Sequence, residues 1–136
     1  MREGRDSLAV AAVAFVVANV LHTLDHLRQG TGGLSPAIFV GGSALSVLAV
    51  IAMVMALRSH PRAPSFCAVV GLGGAVGVAA SHLAPHWSAL SDPYPDLPVD
   101  ALSWAVMLGE IAAALVLGIV ALRQLAAEPA TRAHTG

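Results

Sequence analysis

Two short segments set polar residues into otherwise apolar sequence: Asn19-Val-Leu-His22-Thr-Leu-Asp25-His26 and Ser81-His82-Leu-Ala-Pro85-His86-Trp87. Each closes with two histidines four residues apart. On a helix that spacing puts both imidazoles on one face, one turn apart. At 100° per residue Asn19, His22, Asp25 and His26 fall within an arc of roughly 120°. Neutral imidazole is a common ligand for zinc, iron, copper and nickel, so His22, His26, His82 and His86 with Asp25 form a set of nitrogens and oxygens able to close a first coordination shell. Asp25 either ligates directly or orients a histidine by accepting its second N–H. Cys67 is the single cysteine, which excludes an internal disulfide and a thiolate cluster within one chain. Zinc, iron or copper(II) therefore suits the set better than copper(I). Opposed histidines on two helices also make a possible axial pair for haem, but two rings on one level and face suit a compact ion better.

Glu110 is a further ionisable group in an apolar stretch, on a face shared with Ser103 and Met107. It lies ten residues beyond Asp100, roughly 15 Å along a helix, whereas His22 is only about 7–8 Å from the end of its own segment. Glu110 is thus expected deeper, and whether it joins the histidines stays open. A charged group at the centre of a membrane span costs about 2.5–3.5 kcal/mol, which makes each one a functional candidate. Asp25 and Glu110 are the candidate general bases, and Glu110 alone is a candidate proton relay.

The elements that must position these residues follow from composition. The chain has 136 residues, 57% hydrophobic and 11% charged, with a net charge of -1 and a mean hydropathy of +0.76. A soluble domain of this size carries about a quarter charged residues, so most of this surface must face something other than water. Four apolar stretches, Leu8–Leu27, Pro36–Leu57, Phe66–Ala84 and Ala101–Leu125, reach the roughly 20 residues needed to cross a hydrocarbon core as helices. Backbone groups in lipid must be satisfied within the segment, which favours helices over open sheet. An all-α, four-helix transmembrane bundle in one domain is the expected architecture. Ser35 with Pro36, and Asp100 before Ala101, read as helix N-termini, and Gly30, Gly32 and Gly33 end the first span. Pro85 is a point where the third helix ends or kinks.

All seven basic residues are arginines. With alternating spans, Arg2, Arg5, Arg58, Arg62, Arg123 and Arg132 lie at one face and Arg28 at the other, so both termini are expected in the cytoplasm. Trp87, Tyr94 and Trp104 sit where an aromatic belt belongs. Asp92, Asp96 and Asp100 lie in a proline-rich outer connection, with Asp92 as its best candidate ligand. No basic run exists to bind nucleic acid. No A-x-A-type cleavage site follows the first apolar run, so that span is expected to be retained. Met1–Ser7 and Ala126–Gly136 read as mobile tails, and the Ala, Val, Gly, Arg and Pro bias suits a bacterial genome of high GC content.

The functional expectation is a small integral membrane metalloprotein of the bacterial cytoplasmic membrane. It would be an enzyme or redox protein whose site near the extracytoplasmic face meets a lipid-soluble substrate. Rival expectations are a proton- or metal-coupled carrier, and an accessory subunit of a larger membrane complex. A conduit predicts polar groups through the full membrane depth; a site predicts them at one level, as found in the sequence. Gly73 and Gly77 form a GxxxG spacing that supports close helix packing, within the chain or in a homo-oligomer.

Overall fold

The computed structural model describes residues 2–30 and 35–132, with side chains for 4–30 and 35–127. Four helices follow one another: α1 Arg2–Gln29, α2 Pro36–Leu57, α3 Ala63–His82 and α4 Ala101–Arg132. All four are long and apolar enough to cross a membrane, and the chain is a four-helix bundle of an integral membrane protein. The expected caps are present. Ser35 Oγ accepts from the Ile38 N–H at 3.2 Å ahead of Pro36, and Asp100 Oδ1 accepts from the Ser103 N–H at 3.0 Å, satisfying backbone donors that a helix start leaves free. Gly30 takes φ +90, a conformation open to glycine, just after α1; Gly32 and Gly33 lie outside the described residues.

Five helix boundaries differ from expectation, both ends of α1, both ends of α3 and the end of α4. The helices continue through much of the expected tails, from Arg2 and as far as Arg132, and the Gln124 side-chain amide donates to the Gly4 carbonyl, tying the start of α1 to the end of α4. The third helix begins at Ala63 and stops at His82, not Ala84. Pro85 explains the early stop: it lacks an N–H and disfavours helical geometry in the residue before it.

The helices alternate in direction. At one end, Arg28 of α1 meets Asp100 before α4 and Ser35 before α2 donates to the Ala89 carbonyl at 2.5 Å. The half of the bundle away from this end is packed with apolar side chains, Leu8, Ala12, Phe15, Cys67, Leu117 and Ala121 among them. In a bilayer such packing rests on van der Waals contact, so small residues that let backbones approach are decisive. Gly71 is the closest approach between α3 and α4. A Cβ there would stand 2.6 Å from Gly118 N and 2.7 Å from Ala114 O. Gly73 and Gly77 do not play this part: a Cβ on either meets nothing within 4 Å, because at 100° per residue they stand roughly 200° and 240° around the helix from Gly71.

Helix α2 is held at one end only. Its buried residues, Ala49, Ala52 and Ala56, all lie in its second half, and from Ser35 to Leu48 no residue is buried. The free half leaves an opening between α2 and the α1–α3 pair at the histidine end. Val10, Val17, Phe39, Val69 and Val76 are exposed and form an apolar outer surface suited to lipid.

Candidate metal centre

The last two turns of α1 and the final residue of α3 meet at the same level, because the two helices run in one direction. His22, His26 and His82 each offer a ring nitrogen within 4.8 Å of the others. Their ring centroids are 4.6 Å apart for His22–His26, 5.1 Å for His22–His82 and 5.5 Å for His26–His82. Metal–nitrogen bonds of about 2 Å in tetrahedral geometry hold ligand nitrogens roughly 3.3 Å apart, so the rings would draw together by up to about 1.5 Å to close the triad on an ion. His22 and His82 are buried and His26 half-buried.

Two of the three rings are oriented through Nδ1. His22 Nδ1 pairs with Glu110 Oε2 from α4, and the other Glu110 oxygen accepts from the Asn19 amide at 2.8 Å. His82 Nδ1 donates to the Asp92 carbonyl at 3.1 Å. With Nδ1 occupied by an acceptor, the lone pair of each ring is on Nε2, the arrangement that fixes tautomer and rotation in metal-binding histidines. Tyr94 covers the pair. Its hydroxyl is 3.3 Å from His22 Nε2, beyond the usual range for a firm hydrogen bond, and burial pushes its phenol up to about 12.

Glu110 thus belongs to the histidine level. The run of α1 on to Gln29 removes about 3 Å of the roughly 7 Å depth difference expected between His22 and Glu110, and the reach of the two side chains spans the rest. Asp25 is buried beside the histidines but serves a different network. Arg28 Nε donates to its Oδ1 at 2.8 Å and the Gln29 amide to its Oδ2 at 2.5 Å. Arg28 Nη2 also reaches Asp100 at 2.9 Å and Ser103 Oγ at 3.1 Å, so α1 and α4 are clamped in register. The Ser103 N–H and Arg28 hold the Asp100 carboxyl below its ordinary range. Asp25 and Glu110, the expected bases, each have both oxygens engaged.

His86 lies apart from this group. It is exposed, four residues past the end of α3, and off the helical face its spacing implied. Asp92 contributes its backbone: its N–H donates to the Ser81 carbonyl at 2.7 Å while its own carbonyl holds His82. Tyr94, read as a belt residue, is 1% exposed, and neither it nor Asn19 was among the expected ligands and bases. Asn19 was legible from its place on the polar arc of α1; the burial of Tyr94 carried no sequence signal.

Two cavities adjoin the triad. One of about 530 Å³ runs between the free half of α2 and the α1–α3 pair, ending at His22, His26, His82 and Glu110. The other, about 330 Å³, is lined by Arg28, Gln29, Asp92 and Asp100 at the outer mouth, and His26 belongs to both. Comparison of the chain with family models, curated proteins and solved structures gives no match.

Proposed function

We propose that this chain is a membrane-embedded metalloenzyme in which His22, His26 and His82 hold a transition-metal ion. The observation that carries this reading is the orientation of His22 and His82, each with Nδ1 tied to an acceptor and Nε2 left to ligate. Structural zinc sites close their shell with four protein ligands, whereas catalytic ones use three and keep a position open. Three imidazoles bordering a cavity correspond to the open kind. Iron oxygenase sites add a ligating carboxylate to two histidines. Here both nearby carboxylates are engaged elsewhere, which favours zinc over iron, with copper(II) also compatible. Held by His22, His26 and His82, such an ion would supply Lewis acidity at the end of the cavity. Glu110 and Asp92 position the rings, and the larger cavity beside them is walled mainly by apolar residues.

The triad's separations also speak against haem. Axial rings on opposite faces of a macrocycle would stand with their centroids roughly 6 Å apart, given iron–nitrogen bonds near 2 Å, and all three pairs are closer. Against a carrier stands the distribution of buried polar groups. Among the described residues these are Asn19, His22, Asp25, His82, Ser91, Ser103 and Glu110, all toward one end, while the other half is apolar. The arginine distribution supports an extracytoplasmic position for the triad, the composition supports a bacterial cytoplasmic membrane, and the apolar surroundings support a lipid-soluble substrate.

The test is elemental analysis of protein purified without a polyhistidine tag. The reading expects about one equivalent of one metal, lost when His22, His26 and His82 are all changed to Ala. A folded protein without metal would overturn it and leave an accessory role.

A further inference from the structure

The larger cavity is made by side chains that are missing. Gly42 on α2 and Gly73 and Gly77 on α3 line it, and a Cβ built on any of them meets nothing within 4 Å. Its flanks, Phe39 at 62% exposure and Val69 at 73%, lie on the outer apolar surface, so the opening faces sideways into hydrocarbon. Its volume, about 530 Å³, falls in the range of about 300–1,000 Å³ typical of small-molecule sites. The adjoining pocket has the opposite character, lined by Arg28, Gln29, Asp92 and Asp100 at the membrane edge. The two meet at His26.

An apolar room entered from lipid and a polar room at the aqueous edge, sharing one histidine of a candidate metal triad, define a ligand with two ends. We infer that the site takes a membrane-borne amphiphile, its hydrocarbon chain lying between α2 and α3 and its oxygen-bearing head at the triad. The inference rests on the metal reading above. The glycines set how much chain is accommodated, and the polar pocket gives the head and water a route from the aqueous side that does not cross the chain.

A long-chain hydroxamate is a direct probe, since its two oxygens coordinate a metal and its tail tests the cavity. The full chain, loaded with cobalt(II) in nanodiscs, is titrated with dodecanohydroxamate and with acetohydroxamate while the visible spectrum of the cobalt is followed. Partition of each probe into empty nanodiscs is measured separately and divided out. The expected result is at least about tenfold tighter binding of the long probe after that correction. Gly73→Leu and Gly77→Leu, at positions where a Cβ meets nothing within 4 Å, place a side chain in the cavity and should remove that preference while cobalt loading and acetohydroxamate binding persist. Gly109→Leu, also in open space but outside the cavity, should change nothing. Equal corrected affinities for the two probes in the unmodified protein, or a preference that survives both cavity variants, would overturn the amphiphile and leave the metal site standing. Failure of cobalt to bind the unmodified protein would overturn both.

Discussion

His22 and Glu110 are joined across the α1–α4 interface, Nδ1 to Oε2, with Asn19 holding the second carboxylate oxygen. This pairing leaves Nε2 of His22, beside the Tyr94 hydroxyl at 3.3 Å, as the nitrogen able to ligate and makes a membrane-embedded carboxylate part of the site's scaffold. Glu110 is therefore a positioning residue. Partners of this kind, when lost, cost metal affinity by about 10–100-fold. Glu110→Ala should weaken zinc by that factor in a chelator competition titration, and Glu110→Gln, which keeps an acceptor oxygen, by less. Unchanged affinity in Glu110→Ala would separate Glu110 from the centre.

The ligand set can be read one histidine at a time. His22→Ala, His26→Ala and His82→Ala should each reduce bound metal at least about tenfold at limiting concentration. His86→Ala should retain it, since His86 is exposed and away from the triad. Asp92→Ala should also retain it, because Asp92 holds His82 through its backbone carbonyl. Elemental analysis of the five variants decides, and metal loss in His86→Ala would contradict the assigned set.

The α3–α4 contact predicts a contrast between neighbouring glycines. Gly71→Ala would bring a methyl group to 2.6 Å from Gly118 N, and overpacking of this kind costs about 1–3 kcal/mol. Gly73→Ala meets open space and should be neutral. Thermal unfolding in detergent should show a lowered midpoint for Gly71→Ala alone; equal midpoints would refute the close approach.

Arg28 compensates the buried Asp25 and reaches Asp100 and Ser103. Arg28→Met should lower resistance to denaturant because it leaves the Asp25 charge without its cation. Adding Asp25→Asn to that variant should restore part of the loss. Greater damage in the double variant would show that Asp25 acts elsewhere.

The four spans and the caps at Ser35 and Asp100 were legible because segment length against bilayer thickness and N-cap chemistry are local properties. The convergence of His22, His26 and His82 was legible too, since α1 and α3 run in one direction. Details needing a helix end to within a turn were not. Two residues at the end of α1 and the reach of the Glu110 side chain together bring Glu110 onto His22. Pro85 marked a break without saying that His86 would fall outside the helix. Spacing also cannot tell which glycine face meets a neighbour, so Gly73 and Gly77 stood out while Gly71 made the contact. The loop's use of the Asp92 backbone and its burial of Tyr94 depend on a path that side-chain chemistry does not encode.

The proposed centre has three imidazoles sharing one metal ion within the membrane. Zinc-edge X-ray absorption on tag-free protein reconstituted with one equivalent of zinc measures this directly. Three imidazole nitrogens at about 2.0 Å and one further oxygen or nitrogen donor are expected, with the imidazole signal lost on changing His22, His26 and His82 to Ala. A spectrum without imidazole scattering, or one unchanged by that triple substitution, would contradict this centre.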